Sequence, residues 1–197
     1  MGVEYELKFR SDGATLAAID AAYRHRPRQF FQMETTYYDT PSSALSARQY
    51  TLRRRMENSK SVCTLKTPAA GISRNELELE CDNIAMAAEV FCKNGAPEDF
   101  ADLIREGLIP ICGAKFHRTA ILLELEDTVL ELALDSGMLT GGKETAPLCE
   151  VEVELKSGSQ EAADLFASVL ADEYGLTLEN KSKFRRALAL YQKGGSV

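Results

Sequence analysis

A strict alternation of charged and apolar residues opens the chain, over residues 3–10. In an extended strand successive side chains point to opposite faces, so this alternation predicts one apolar face and one charged face. The charged face carries two acids followed by two bases, Glu4, Glu6, Lys8 and Arg10. Because side chains at i and i+2 lie about 7 Å apart, Glu4 and Glu6 could bind one cation. The stretch requires a sheet whose charged face either meets water or forms a site.

Three later stretches repeat the alternation. Their charged faces carry Arg53 and Arg55, then Arg74, Glu76, Glu78 and Glu80, and finally Glu150, Glu152, Glu154 and Lys156. An antiparallel sheet with one solvated face produces the same pattern, and each strand taken alone favours that interpretation. Like charges stacked on one face repel each other, however, so a bound cation or anion is the natural missing partner. Taken together, the sorted charges favour a binding site.

The order of the elements predicts an α+β fold. Helical spacing of apolar residues occurs at 14–23, 84–93, 97–106, 160–174 and 182–191, and a turn-prone stretch lies at Thr140–Pro147. About eight strands with polar faces, and helices available for their other faces, predict a closed eight-stranded antiparallel β-barrel. Its interior would be polar and charged, with the helices packed outside. Because no low-complexity linker divides the chain, residues 1–197 are predicted to form a single domain.

Composition excludes several classes of protein. The net charge of −7 argues against general nucleic-acid binding, and no apolar run approaches the roughly 20 residues that span a bilayer. The N-terminus lacks the basic and apolar regions of a secretion signal, so we expect a cytoplasmic protein. The five cysteines include no Cys-x-x-Cys pair, which argues against a disulfide framework or a thiolate zinc site and favours reduced thiols. An exposed cysteine or an apolar helix face could support a homodimer.

The side chains of the charged faces limit their ligands. Clustered carboxylates without neighbouring histidine or cysteine suit Mg²⁺ or Mn²⁺ better than zinc. Interleaved arginine and lysine suit phosphate oxygens, with arginine favoured for bidentate contacts. The residues alone therefore predict a divalent-metal site that binds a di- or triphosphate.

An ordered set of motifs resembles the CYTH, or triphosphate tunnel metalloenzyme, superfamily. The set consists of Glu4-x-Glu6-x-Lys8-x-Arg10, Tyr38-Asp39-Thr40, Leu52-Arg53-Arg54-Arg55, Thr64-Leu65-Lys66, Arg74-x-Glu76-x-Glu78, Arg118, Asp135, Glu150-Val151-Glu152 and Ser182-Lys183. Each motif is weak by itself, but they follow the expected order along most of the chain. The resemblance implies an eight-stranded antiparallel tunnel open to solvent at both ends.

The resemblance also implies roles for individual residues. Glu4, Glu6 and Glu150 would hold a metal that orients the triphosphate, and Glu78, Asp135 and Glu152 would hold or approach a second metal that activates water. The residues that would bind phosphate are Lys8, Arg10, Arg53, Arg55, Lys66, Arg74, Arg118 and Lys183. Glu76 fits either metal binding or an ion pair, whereas Glu80 and Glu154 are expected at the rim.

The function that follows is a divalent-metal-dependent triphosphatase. Its substrate would be a small-molecule triphosphate, with inorganic tripolyphosphate as the leading candidate, and its cofactor Mg²⁺ or Mn²⁺. The residues expected to be catalytic are Glu4, Glu6, Lys8, Lys66 and Arg53. Three alternatives stay open: an adenylate cyclase making cyclic AMP from ATP, a thiamine or nucleoside triphosphatase, and a non-catalytic polyphosphate-binding sensor. The sequence shows no base-reading motif for the cyclase and no tryptophan to stack on thiamine.

Overall fold

The computed structural model describes residues 5–68 and 74–194. The strands of these residues are β1 (Tyr5–Arg10), β2 (Arg28–Asp39), β3 (Thr51–Glu57), β4 (Lys60–Pro68), β5 (Arg74–Glu80), β6 (Ile109–Leu125), β7 (Thr128–Gly141), β8 (Glu144–Ser157) and β9 (Thr177–Leu178). The helices are α1 (Gly13–Ala22), α2 (Ala44–Ala47), α3 (Ile84–Lys93), α4 (Phe100–Leu103), α5 (Gln160–Tyr174) and α6 (Lys183–Gly194). Glu4, a predicted metal ligand, lies outside the described residues.

The strands form one sheet in the order β5-β4-β3-β2-β6-β7-β8-β1-β9. The registers of β1 with β8 and β9, and of β2 through β5, are all antiparallel. The predicted antiparallel α+β fold is confirmed. Over residues 5–68 and 74–194 the sheet has nine strands rather than the eight expected, because two residues after α5 pair with β1. Closure of the sheet into a barrel stays a prediction.

Chain contacts group the protein into two compact units. Unit 1 comprises residues 1–32, 116–138 and 147–182, and unit 2 comprises residues 33–115, 139–146 and 183–197. Four strands, β2, β6, β7 and β8, contribute residues to both units. The single domain expected over 1–197 stays a prediction.

The core of unit 1 lies between its strands and two helices. Phe9 of β1 and Val151 of β8 are buried together with Leu16 of α1 and Leu170 of α5. Phe9 is paired with Val151 in the β1–β8 register, so the apolar half of the opening alternation supplies this core. Because successive strand residues point to opposite faces, the charged half of β1 lies on the face away from this core.

Unit 2 repeats this arrangement with different elements. Leu52 of β3 and Leu65 of β4 are buried against Leu45 of α2, Phe91 of α3 and Phe100 of α4. The apolar face of the β3–β4 hairpin is thus covered by helices. The alternating residues of the same strands form the charged face of this unit.

Two sequence predictions about local structure hold over narrower bounds than expected. The stretch Thr140–Pro147 is a tight hairpin, because Gly142 adopts a positive φ of 60° and lets β7 and β8 pair close to the turn. The helix expected at 97–106 shortens to α4 and a 3-10 turn at Ile104–Glu106. The Asp99 carboxylate does not cap α4, since it accepts from the Tyr50 hydroxyl and pairs with Arg48.

Helix α6 approaches β7 closely at one position in unit 2. A Cβ atom added to Gly141 would lie 2.4 Å from the backbone oxygen of Ala187 and 2.4 Å from the backbone nitrogen of Tyr191. Cβ atoms essentially never come within 3.0 Å of a heavy atom outside their own residue and its chain neighbours. Only glycine therefore allows α6 to lie against the end of β7.

Candidate functional site

The β1–β8 register in unit 1 sets acids beside bases. Lys8 is the partner of Glu152, and Arg10 is the partner of Glu150. Opposite charges directly across two strands stabilise their pairing by roughly 0.2–1 kcal/mol each. The remaining pair, Glu6 with Glu154, brings two acids together. The charged faces that the sequence predicted for the two strands thus form one continuous surface.

Three carboxylates of unit 1 converge. One carboxylate oxygen from each of Asp135 on β7 and Glu150 and Glu152 on β8 lies within 4.8 Å of the others. The residues are 0%, 0% and 6% exposed, respectively. A solvated strand face would leave these side chains in water, so that interpretation is wrong for this part of the sheet. An all-oxygen carboxylate cluster of this kind could hold a hard divalent cation such as Mg²⁺ or Mn²⁺.

Arg118 on β6 lies against this cluster. Its Nε and Nη2 donate to the two oxygens of Asp135, each at 2.7 Å, and Nη2 also contacts Glu152. Burial lowers the pKa of Arg118, but the hydrogen bonds and charge of Asp135, with the charge of Glu152, raise it above its usual value overall. The guanidinium therefore stays protonated and compensates the acids around it.

Glu6 and Lys8 lie nearer to solvent than the cluster. Lys8 Nζ donates to Glu6 Oε1 at 2.7 Å, and their side chains are 20% and 34% exposed. Further along the strands, Lys156 Nζ contacts Glu154 at 2.8 Å and Glu131 at 3.4 Å. Glu6 is not part of the carboxylate cluster among the described residues.

Sequence analysis missed one residue of this surface, Glu179. Its carboxylate accepts from Arg10 Nε at 2.5 Å, and its side chain is 2% exposed. The hydrogen bond and charge of Glu179 raise the pKa of Arg10. The only sequence signal is the four-residue alternation of Leu176, Thr177, Leu178 and Glu179, which is too short for strand periodicity to be recognised.

Unit 2 carries a charged face on which bases and acids alternate across the strands. The strand registers align Arg53 with Thr64 and Glu78 in one row, and Lys66 with Glu76 in the next. Thr64 Oγ1 donates to Glu78 Oε1 at 3.1 Å. Glu78 is one of the predicted metal ligands. In the structure it is an exposed strand residue, and it belongs to no cluster of three acids in the described part of the chain.

The bases of this face are half-buried and paired with acids. Lys66 Nζ lies 2.8 Å and Arg53 Nη2 lies 3.9 Å from the Glu76 carboxylate, and Arg55 Nη2 lies 2.7 Å from Glu57. Of the two interpretations left open for Glu76, this geometry fits the ion pair.

Tyr37 on β2 borders the same face. It is the register partner of Arg53, and its ring lies 4.8 Å from that of Phe184 on α6. Burial raises the pKa of Tyr37, while the nearby charges of Arg53 and Lys183 oppose that shift. Lys183, a predicted phosphate ligand, is therefore close enough to the Arg53 region of unit 2 for its charge to be felt there.

Asp39 of the Tyr38-Asp39-Thr40 motif has a structural task. Its buried carboxylate accepts from the backbone N–H groups of Thr40, Leu45 and Ser46 at 2.8, 2.9 and 3.0 Å. It therefore caps the start of α2, whose Ser43 N-cap makes no side-chain hydrogen bond.

The structure brings together half of the predicted metal ligands. Asp135, Glu150 and Glu152 form the cluster, Glu6 lies outside it on the same charged surface of unit 1, and Glu78 belongs to unit 2. Of the predicted phosphate ligands, Lys8, Arg10 and Arg118 lie in unit 1, and Arg53, Arg55, Lys66 and Lys183 lie in unit 2. Arg74 begins β5, and its side chain lies outside the described part of the structure. The assigned roles of all these residues stay predictions.

Solved structures share this fold. A candidate adenylyl cyclase from Hippeastrum, described as having a dominant triphosphatase activity, aligns over 99% of this chain and 98% of its own with a TM-score of 0.63 and 16% identity. A protein from Bacillus halodurans assigned as an adenylate cyclase aligns over 93% and 96% with a TM-score of 0.58 and 18% identity. At these identities the likeness shows the fold alone.

Sequence comparison adds a relative and a family. An inorganic triphosphatase from Haemophilus influenzae is 31% identical over 96% of this chain, which spans only 55% of that relative's length. Among the helices of residues 5–68 and 74–194, none combines the length and apolar character needed to cross a bilayer. The family model of the CYTH domain matches residues 2–188. With that match over nearly its whole length, the chain belongs to the CYTH domain family.

Proposed function

We propose that this protein is a divalent-metal-dependent triphosphatase that hydrolyses the terminal phosphate of inorganic tripolyphosphate. The observation that carries the proposal is the buried carboxylate cluster of Asp135, Glu150 and Glu152 beside Arg118. Buried charges are costly unless they are paired or coordinate a metal. The bases Lys8, Arg10 and Arg118 face these three carboxylates and also Glu6 and Glu179, so the acids of the site outnumber its bases. A divalent cation would neutralise the net negative charge.

The donor set fits Mg²⁺ or Mn²⁺. These cations bind carboxylate oxygens and retain waters, and the cluster offers three carboxylates without sulfur or imidazole. A bound metal would supply a water of lowered pKa and a positive charge for phosphate oxygens. In the same unit, Lys8 and Arg10 would bind the anionic substrate and neutralise its charge.

Unit 2 carries its own set of cations that suit phosphate oxygens. Phosphoryl transfer depends mainly on positioning and on neutralising charge on the phosphate oxygens. Arg53, Arg55 and Lys66 present such cations on one strand face, and their side chains are 16%, 28% and 24% exposed. Half-buried bases keep contact with solvent, so a hydrated polyphosphate can displace the Glu76 and Glu57 carboxylates that now pair with them.

Relatives support this choice of substrate. The Haemophilus relative is named an inorganic triphosphatase, and the Hippeastrum protein has triphosphatase activity despite its cyclase assignment. This chain spans about half of the Haemophilus relative's length, so the relative's activity cannot be transferred whole. The proposal therefore rests also on the carboxylate cluster and bases of this chain. The cytoplasmic location and the homodimer stay predictions.

A pair of β8 variants tests the proposal. Glu150→Gln keeps the side-chain shape but removes one charge from the cluster, so we expect at least a hundredfold loss of phosphate release from tripolyphosphate, on the order of one lost transition-state contact. We also expect the rise in melting temperature caused by millimolar Mn²⁺ to disappear, because ligand binding to the folded state is what stabilises it.

Glu154→Gln is the matched control, since Glu154 lies on the same strand and pairs with Lys156 outside the cluster. It should retain both the activity and the Mn²⁺ effect. Assays with ATP, followed for phosphate and cyclic AMP, separate hydrolysis from cyclisation. Full activity of Glu150→Gln would refute the metal site, and cyclic AMP as the main product would refute the triphosphatase.

A further inference from the structure

Glu179 occupies a position on the charged surface of unit 1 that the family motifs do not include. The register of β9 with β1 pairs Leu178 with Phe9 and Thr177 with Arg10. The chain continues antiparallel for one more residue, because the backbone N–H of Glu179 donates to the Lys8 carbonyl at 2.7 Å. Glu179 therefore lies beside Lys8, on the charged face of β1.

The Glu179 carboxylate is held at both oxygens. Oε2 accepts from Arg10 Nε at 2.5 Å, and Oε1 accepts from the backbone N–H of Lys181 at 2.8 Å. The side chain is 2% exposed, whereas the Arg10 side chain that it contacts is 61% exposed. A fixed, buried anion thus contacts the base of a guanidinium that reaches into solvent.

This geometry suits Arg10 to phosphate binding. The contact uses the Nε edge of the guanidinium, and its two terminal nitrogens carry four more N–H donors, the fork that matches phosphate oxygens. An arginine side chain has many rotamers, and an exposed arginine would lose much of this rotamer entropy on binding an anion. The contact with Glu179 orders part of the side chain before any ligand arrives.

We propose that Glu179 is a positioning residue that orients Arg10 for the triphosphate, an inference that rests on the proposed function. A carboxylate repels phosphate, so Glu179 has no direct use as a substrate ligand. Its value lies in the hydrogen bond that it accepts. Preorganisation of one side chain is worth roughly 0.5–1.5 kcal/mol in binding, which corresponds to about a two- to twelvefold change in affinity.

A double-mutant cycle on the full chain tests this role. We expect Glu179→Ala to raise the KM for tripolyphosphate about two- to twelvefold with kcat little changed, because ordering of Arg10 is lost. Glu179→Gln retains an acceptor oxygen and should restore a KM near that of the wild type. Arg10→Ala should raise KM further, and the double variant Glu179→Ala/Arg10→Ala should match Arg10→Ala.

The cycle separates positioning from a merely structural role. If Glu179→Ala raises KM by the same factor with and without Arg10, the residue acts through the fold and the inference is overturned. The same result follows if Glu179→Gln is as impaired as Glu179→Ala. Melting temperatures of the wild type and the four variants define an assay temperature at which each of the five proteins is folded.

Calorimetric titration with tripolyphosphate in the presence of EDTA separates this inference from the proposed function. If the wild type binds tripolyphosphate but does not hydrolyse it with added metal, the triphosphatase proposal fails and the Glu179–Arg10 coupling is judged on Kd. If the wild type neither binds nor hydrolyses tripolyphosphate, both proposals are overturned. Normal activity with additive Kd changes for Glu179→Ala and Arg10→Ala overturns the positioning role alone.

Discussion

The two units carry charged strand faces of similar sequence pattern but different burial. In unit 1 the side chains of Asp135 and Glu152 are 0% and 8% exposed, and Arg118 beside them is 18% exposed. In unit 2 the side chains of Lys66 and Glu76 are 24% and 34% exposed. Both faces lie opposite an apolar face covered by helices. Alternation of charged and apolar residues therefore does not determine the solvent exposure of the charged face.

The difference indicates a division of chemistry. Burial raises the cost of unneutralised charge, so the acid-rich face of unit 1 suits a tightly held divalent cation. The charged face of unit 2, on which bases and acids pair, stays partly hydrated, and its ion pairs cost little to break. The two faces therefore differ in how tightly each holds its charged partners.

The largest expected difference between the two faces is in stability. Arg118→Met removes the cation that binds both oxygens of the buried Asp135, and we expect it to lower the free energy of unfolding by about 3–5 kcal/mol. Lys66→Met breaks a pair that is a quarter to a third exposed, so its cost should stay below about 1 kcal/mol. Urea unfolding in EDTA measures both values.

Millimolar Mn²⁺ sharpens the same comparison. It should recover part of the stability lost in Arg118→Met, because a divalent cation can replace the missing guanidinium charge, and it should leave the value for Lys66→Met unchanged. Equal costs for the two variants in EDTA would contradict the contrast in burial.

An intermediate effect is expected at alkaline pH, and it arises in unit 2. Burial raises the pKa of the Cys63 thiol from 9.0 to about 11 and, with the charge of Asp39, that of Cys112 from 9.0 to about 12. The unfolded chain therefore loses these protons first as pH rises. Their stabilising contribution is complete below pH 9 and is lost as pH rises toward the folded-state pKa values.

At pH 10 this loss amounts to about 1 kcal/mol for each thiol. Urea unfolding at pH 8, 9 and 10 should show the decline. Cys63→Ala/Cys112→Ala has a lower stability at every pH but should show a shallower decline, since only the slope reports the thiols. A slope equal to that of the wild type would contradict burial of these two groups.

The smallest effect is expected at the outer end of the unit 2 face. Lys60 and Glu80 pair at 3.2 Å with side chains 58% and 70% exposed. Exposed pairs of this kind contribute about 0.2–1 kcal/mol, so Glu80→Gln should lower the free energy of unfolding by less than about 1 kcal/mol. Chemical denaturation of the wild type and the variant measures this difference. A loss above about 2 kcal/mol would mean that the half-buried part of this face extends as far as Glu80.

Local patterns in the sequence were sufficient for much of the fold. The alternation at β1 and β8 predicted which residues share the charged face, and the helices α3 and α5 begin and end where apolar spacing placed them. The convergence of acids in unit 1 follows from strand pairing. The ordered motifs allowed us to anticipate it. These features depend on periodicity, and periodicity is present in the sequence.

Other features depend on contacts between distant segments. Arg118 pairs with Asp135 and Glu152, 17 and 34 residues away, and no spacing rule identifies such partners. Glu179 follows a strand of two residues, which is too short to produce a pattern. The turn-rich composition of Thr140–Pro147 predicts that the chain reverses there. It does not show how many residues the reversal needs, so the short hairpin turn could not be distinguished from a longer loop.

Gly141 gives the charged face of unit 2 a dependence on shape that involves no charge. The helix that rests on this glycine starts with Lys183, one of the expected phosphate ligands, and carries Phe184 against Tyr37. Any side chain at position 141 would push that helix away, and Lys183 with it. A CYTH sequence could therefore keep every acid and base of its motifs and still have Lys183 displaced by a single added methyl group. Motif matching would rank such a chain as intact.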